Sequence, residues 1–142
     1  MFLIVALFFI LVSACSKNGA NPSMEDQQLQ KLLGTWKPGV VLVDGTDITD
    51  QYTDFYLTFI KDGDEKKLTA TNPGFAFTAG LDSWSFVTGS QASKIVRSAD
   101  GIEMDVNVDQ NTLTLSFTIP EASTGGRISG LSGSFTFRLL KE

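Results

Sequence analysis

The sequence predicts an all-β protein, a small eight-stranded antiparallel meander barrel preceded by a short helix. Its 142 residues include 13 glycines and 11 phenylalanines, a composition rich in turn formers and β-formers. Apolar and polar side chains alternate with a period of two near the end of the chain, as in the stretch 102–108. Turn residues such as Asp62-Gly63-Asp64 and Asp100-Gly101 separate the alternating stretches. Consecutive strands are therefore expected to be neighbours.

The N-terminal stretch predicts a lipoprotein signal peptide over residues 1–14. Phe2 to Val12 is apolar but has only 11 residues, whereas a helix that spans a bilayer needs roughly 20. Ser13 and Ala14 supply the small residues of a peptidase site, although no Lys or Arg precedes the apolar run. The following Cys15 completes a resemblance to the bacterial lipobox, which implies that Cys15 is lipidated. The alternative is a small buried helix with an incidental cysteine.

Residues 15–24 are predicted to be the lipidated flexible tether. They contain Gly19 and Pro22 and show no apolar periodicity. The resemblance to lipoproteins implies a lipid anchor in the membrane of the cell envelope. Ser16-Lys17-Asn18 carries neither the aspartate of inner-membrane retention nor an acidic tract. We therefore predict the outer membrane of a Gram-negative cell, at its periplasmic leaflet.

The remaining residues, 25–142, are predicted to form the barrel and the helix that precedes it. Ser23 has the position of an N-cap, the leucines at 29, 32 and 33 form one apolar stripe, and Gly34 ends the helix. This stripe is expected to cover the core or, alternatively, to bind a partner. The eight predicted strands are Thr35–Val43, Phe55–Lys61, Lys67–Asn72, Ser83–Thr88, Ser93–Arg97, Ile102–Val108, Thr112–Ile119 and Ser134–Leu140.

The first strand begins with Leu33-Gly34-Thr35-Trp36, and its Gly-x-Trp resembles the signature of the lipocalins and the broader calycin barrels. Val43-Asp44-Gly45-Thr46 and the closing Gly133-Ser134-Phe135-Thr136-Phe137 are similar to lipocalin-like domains of uncharacterised Gram-negative lipoproteins. The resemblance implies that Gly34, Trp36 and Arg138 form the structural signature, with Arg138 packed on the Trp36 ring. The chain lacks the helix that follows the last strand in lipocalins.

The composition argues against most catalysis and against nucleic acid. There is no histidine, Cys15 is the only cysteine, and the 16 acidic side chains outnumber the 11 basic ones. Four aspartates between Asp44 and Asp54 lack the spacing of a calcium loop, and we interpret them as turn and cap residues. Glu103 and Asp105 are interpreted as solvated charges rather than as a catalytic pair. We predict a protein that is not an enzyme and has no catalytic residue, metal or cofactor.

The candidate ligand-binding residues are Phe75, Phe77 and Trp84. Both phenylalanines lie in a connection bounded by Pro73-Gly74 and Gly80, where exposed rings would contact an apolar ligand, a sugar or a protein. The alternative is a connection that folds its own rings over the end of the barrel. A second connection, Glu121 to Gly133, is long enough to border the same entrance.

We therefore predict a non-enzymatic, lipid-anchored envelope protein that binds a small apolar ligand or another envelope component. The alternative is a structural or interaction module, or an inhibitor, whose barrel is filled and has no ligand cavity.

Overall fold

A computed structural model describes residues 19–121 and 132–142, which contain one α-helix, a short 3-10 helix and nine strands. The elements are α1 (Met24–Leu32), β1 (Gly34–Val43), β2 (Thr46–Asp47), the 3-10 helix (Thr49–Tyr52), β3 (Tyr56–Asp62), β4 (Glu65–Thr71), β5 (Gly80–Phe86), β6 (Lys94–Arg97), β7 (Glu103–Asp109), β8 (Thr112–Ile119) and β9 (Gly133–Lys141).

Eight of these strands, all except the two-residue β2, form a closed antiparallel barrel. Each strand from β3 to β9 pairs with its neighbour in the chain, β3 also pairs with β1, and β9 returns to β1. The closing pair runs from Trp36 opposite Lys141 to Val43 opposite Phe135. The predicted all-β fold, with eight barrel strands after a short helix, is confirmed. The largest difference in strand bounds is at β5, which begins at Gly80 instead of Ser83.

The two ends of the barrel are built differently. Because the strands are antiparallel, the connections 44–55, 72–79 and 98–102 lie at one end, which we call the mouth. Helix α1 and the turns 63–64, 87–93 and 110–111 lie at the other, which we call the helix end. The mouth therefore presents longer connections to solvent, whereas the other end presents a helix and turns.

Helix α1 covers the helix end. Its first turn is fixed by a capping box, in which the Asp26 amide donates to Ser23 Oγ and the Ser23 amide donates to Asp26 Oδ2. Leu29 and Leu32 are buried against the barrel core. The interpretation of the leucine stripe as a cover of the core is confirmed.

Trp36 forms the floor of the barrel beneath α1. Its ring is fully buried and its Nε1 donates a 2.8 Å hydrogen bond to the Leu32 carbonyl. The cation over this ring belongs to Lys141, whose Nζ lies 5.0 Å from the ring centroid. The prediction that Arg138 packs on Trp36 is wrong: Arg138 is exposed and lies opposite Val40 and Thr114. Its position alternates with the inward Phe137, so its side chain points outward.

Gly34, the other signature residue, is required by its backbone. Its φ of +119° is unfavourable for other residues, and an added Cβ would lie 3.2 Å from Lys141 Cε. The same lysine donates from Nζ to the Lys31 carbonyl near the end of α1. Gly34 and Lys141 thus join the helix to the barrel wall.

The barrel interior is packed with aromatic side chains in two groups. The mouth half holds the contacting rings of Tyr52, Phe55, Phe77, Phe117, Phe135 and Phe137. The other group is Phe59, Trp84 and Phe86, with Trp84 centroids 5.6 Å from Phe59 and 5.1 Å from Phe86. Both Trp84 contacts are edge-to-face, whereas the mouth group combines edge-to-face, tilted and stacked pairs. Edge-to-face and offset-stacked pairs are the arrangements that aromatic rings prefer.

Candidate functional site

The connection 72–79 folds back into the mouth. Asn72 and Gly74 begin it with φ values of +49° and +56°, and the Asn72 side chain donates a 2.9 Å hydrogen bond to the Asp54 carbonyl. Asparagine and glycine tolerate this left-handed backbone better than other residues do. A Cβ at Gly74 would lie 2.9 Å from Tyr52 Oη, so only glycine fits there.

Phe77 carries this connection into the barrel. Its side chain is 5 % exposed, and its ring centroid lies 5.4 Å from Phe55, 5.5 Å from Phe117 and 5.2 Å from Phe137. Phe75, two residues earlier, is 47 % exposed. The alternative interpretation, in which the connection folds its own ring over the end of the barrel, is therefore correct for Phe77. Phe75 remains available to solvent.

Arg97 is a buried cation at the centre of the mouth. It is 2 % exposed, and its guanidinium carbon lies 5.0 Å from the Phe77 centroid and 5.4 Å from that of Phe117. Nη1 donates a 2.7 Å hydrogen bond to the Ala76 carbonyl. Nε and Nη2 donate to the two oxygens of Asp100, at 3.1 and 2.5 Å. A bidentate carboxylate thus balances this charge, which burial would otherwise make costly.

Tyr52 places a hydroxyl beneath the same connection. Its Oη is buried and has no partner within hydrogen-bond geometry. Burial raises the pKa of Tyr52, and the backbone amides of Ala76 and Phe75, which face the oxygen, oppose this effect. The Tyr52 ring packs on Phe55 and Phe137, and its unpartnered hydroxyl can still bond to a polar atom that reaches it.

Asp82 is a second buried polar side chain, on β5. Its Oδ1 accepts a 3.1 Å hydrogen bond from the Ala99 amide, whereas its Oδ2 has no partner. The bond holds the connection that carries Asp100 against β5. Asp82 does not line the depression described next.

An open depression of about 310 Å³ lies beside Phe77 at the mouth. It is lined by Phe75, Phe77, Thr78, Arg97, Asp100, Ile102, Ile119 and Pro120. The structure thus brings Phe75 and Phe77 together at one site but places Trp84 elsewhere. Trp84 is buried with Phe59 and Phe86, and its Nε1 donates to the Lys67 carbonyl at 3.2 Å.

The acidic candidates act in local structure. Asp44 accepts from the Ser134 amide at 2.8 Å, and Asp47 accepts from the amide and hydroxyl of Thr49. The bonds to Thr49 hold the pKa of Asp47 below its ordinary value. Glu103 and Asp105 lie 3.5 and 3.7 Å from Lys94 Nζ on the outer face. Asp44 and Asp47 thus act as turn residues, and Glu103 and Asp105 as surface charges, as the sequence predicts.

Several sequence predictions fall outside the described residues: the signal peptide 1–14, the lipidated Cys15 with the first part of the tether, and most of the connection Glu121 to Gly133. Within the described ranges, no helix has both the length and the apolar character that crossing a membrane requires. Residues 19–121 and 132–142 also contain no group of three or more side chains arranged to hold a metal ion.

The fold and the mouth define a closed eight-stranded barrel whose open end is filled by its own connection. Comparisons of the chain with protein-family models, with curated proteins and with solved structures found no match.

The sequence analysis does not identify the buried polar groups of Arg97, Tyr52 and Asp82. A signal existed for Arg97, because it alternates with Val96 and shares a face with Ile95. A charged side chain at a core-facing position is rarely buried unless it is paired, so this pattern predicts a buried ion pair or a functional role.

Proposed function

We propose that this protein is a lipid-anchored component of the outer membrane whose lipocalin-like barrel binds, without catalysis, an apolar molecule or another envelope component. Three features support the proposal: the lipobox at Cys15, the predicted tether and the exposed aromatic side chain at the mouth. The observation that carries most weight is Phe75, an exposed ring beside the depression of about 310 Å³.

The mouth is a better candidate for binding than the deep interior. Rings fill the interior at both levels, and the connection that carries Phe77 occupies the way in. The side chains at the mouth provide an apolar surface with a few oriented polar groups, which is typical of small-molecule sites.

The filled interior also favours a second candidate function. A barrel packed in this way serves as a rigid support that presents Phe75 to a protein partner, as a structural module or an inhibitor does. This candidate needs no ligand cavity, because its contact surface lies outside the barrel.

Native mass spectrometry of the protein extracted from membranes tests the proposal. We expect a bound molecule or partner with the wild-type protein and its loss in Phe75→Ser. The matched control is Leu140→Ser, because Leu140 is 44 % exposed and lies at the helix end. Equal loss in both variants would contradict binding at the mouth.

Fractionation tests the anchor. Cys15→Ser removes the thiol that would be lipidated, so we expect the variant to leave the membrane fraction and to stop partitioning into detergent. A variant that stays with the membranes would contradict the lipoprotein assignment.

A further inference from the structure

The segment 72–80 has the construction of a hinged plug. Its first residues, Asn72 and Gly74, and its last, Gly80, all have positive φ, with +90° at Gly80. Hinges of this kind absorb backbone rotation at the ends of a moving segment. Its buried side chains are those of Ala76 and Phe77, and the Ala76 carbonyl accepts a hydrogen bond from Arg97. Gly74 lies against the Tyr52 ring. Two buried side chains, one hydrogen bond and this close approach thus hold the segment closed.

The Phe77 ring and the Ala76 carbonyl occupy the mouth as a ligand would. The ring lies among Phe55, Phe117 and Phe137. The carbonyl accepts the 2.7 Å hydrogen bond from Arg97 Nη1. These contacts define the chemistry that this place accepts. It takes an apolar ring together with a carbonyl group whose carbon lies two bonds from the Phe77 Cα, the atom that carries the benzyl side chain.

The charge balance selects a neutral ligand. The Arg97 guanidinium already has a bidentate carboxylate partner in Asp100. An anionic ligand would meet Asp100 as well as Arg97, whereas a neutral carbonyl needs only the Nη1 donor. The unpartnered Tyr52 hydroxyl offers a further hydrogen bond without charge.

We propose that the segment 72–80 is a displaceable plug, and that its displacement opens a site for a neutral apolar molecule that carries an amide, ester or ketone carbonyl. This inference rests on the proposed function and names its ligand class. The ligand takes the place of the Phe77 ring, and its carbonyl replaces that of Ala76 on Arg97. The neighbouring depression of about 310 Å³ gives the displaced ring and the rest of the ligand room at the surface.

The test uses the full chain and calorimetric titration with N-(2-phenylethyl)acetamide. This probe reproduces the Ala76 carbonyl, the Phe77 amide and the Phe77 side chain in one neutral molecule. Phe77→Ala removes the competing ring, so we expect the probe to bind at least tenfold more tightly than to the wild-type protein.

Phe86→Ala is the matched control for a cavity of the same kind. Phe86 is 8 % exposed, lies at the helix end and packs on Trp84. Its removal leaves an apolar space without a buried arginine. We therefore expect the affinity of Phe86→Ala for the probe to stay within twofold of the wild-type value. Equal gains in Phe77→Ala and Phe86→Ala, or no gain in either, would overturn the proposal.

A hinge variant tests the plug even if Phe77→Ala does not fold. Gly80→Ala adds a methyl group with nothing within 4 Å but disfavours the φ of +90° that the closed segment needs. We expect at least threefold tighter binding of the probe. Gly89→Ala, with φ +80° and equally open space in a turn at the helix end, is expected to leave binding unchanged. Tighter binding of the probe to Gly89→Ala than to Gly80→Ala would overturn the proposal.

A charged analogue tests the ligand class. 4-Phenylbutanoate has a similar ring and chain but ends in a carboxylate, and we expect it to bind Phe77→Ala at least fivefold more weakly than the amide. Tighter binding of the anion would overturn the assignment of a neutral ligand. The two proposals can fail separately. If the titrations give the expected results but nothing co-purifies with the extracted protein, the proposed function is contradicted and the plug is not.

Discussion

Arg97 organises the mouth at the scale of single residues. Its guanidinium contacts two rings, one backbone carbonyl and one carboxylate, and therefore links β6 to the connection 72–79 and to Asp100. A buried charge of this kind is tolerated only when its donors are satisfied. The geometry of the mouth thus depends on the partners of this one side chain.

Asp100→Ala should destabilise the protein by about 2–4 kcal/mol, because it leaves the Arg97 charge buried without its counter-ion. Urea denaturation measures this loss. The double variant Arg97→Met/Asp100→Ala should be more stable than Asp100→Ala alone, since it removes the unpaired charge as well. Asp105→Ala, which breaks an exposed 3.7 Å pair with Lys94, is the control and should cost under about 1 kcal/mol. Equal losses in both single variants would contradict a buried role for Asp100.

The sequence supports some of these residue assignments better than others. The buried position of Trp36 follows from its place at the start of the first strand, directly after the helix. Arg97 can be identified by its core-facing position in the predicted strand 93–97. Asp82 lies outside the predicted strand Ser83–Thr88, so the alternation in that strand does not reveal its core-facing position. Lys141 lies beyond the predicted end of the last strand at Leu140, and the lipocalin resemblance points to Arg138 instead. The fold-back of Phe77 depends on rings distant in sequence, which no local pattern reveals.

Alternation defines the barrel at the scale of elements. The stretches 112–119 and 134–140 alternate cleanly, and their apolar positions Leu113, Leu115 and Phe137 are buried as predicted. Strands with weaker alternation shift by one to three residues, as β5 does, because pairing with neighbours sets their ends. The connections are the least predictable elements, since their shape follows from tertiary contacts.

The turn between β3 and β4 carries an ion-pair network with a pH signature. Lys67 Nζ lies 2.7 Å from Asp62 Oδ2 and 2.9 Å from Glu65 Oε2. Hydrogen bonds to Asp62 and then Glu65 raise the pKa of Lys67 to about 12 from 10.5. The raised pKa means that this network stabilises the folded state fully below about pH 10.5 and loses its contribution as the pH approaches 12.

Lys67→Met should therefore flatten the fall in the free energy of unfolding between pH 10.5 and pH 12. Urea denaturation at a series of pH values measures the slope. The exposed Lys37, replaced by Met, is the control and should leave the slope as in the wild-type protein. If both variants retain the wild-type slope, the network does not contribute in this range.

Closure and continuous packing join the elements into one unit at the scale of the whole molecule. The first and last strands pair along the barrel, and the Glu142 amide donates to the Thr35 carbonyl at 3.0 Å. Rings fill the interior from the mouth to the group around Trp84. A change at one end is therefore expected to affect the stability of the whole.

Trp36→Ala should lower the free energy of unfolding by about 3–5 kcal/mol, because the fully buried ring leaves a cavity under α1. The remaining Trp84 reports the transition by fluorescence. Cooperative unfolding predicts that this signal and circular dichroism shift together. Two separate midpoints would contradict a single cooperative barrel.

Closure also determines how copies of this protein meet one another. Every barrel strand has a hydrogen-bonded neighbour on both sides, so no barrel strand offers a complete edge to another molecule. Among the strands that the structure describes, only β2 lacks a neighbour along one whole side, and it is two residues long. Free edges are where sheets of separate molecules join and aggregate. A barrel of this kind can therefore be crowded on a surface without its sheets joining into larger ones.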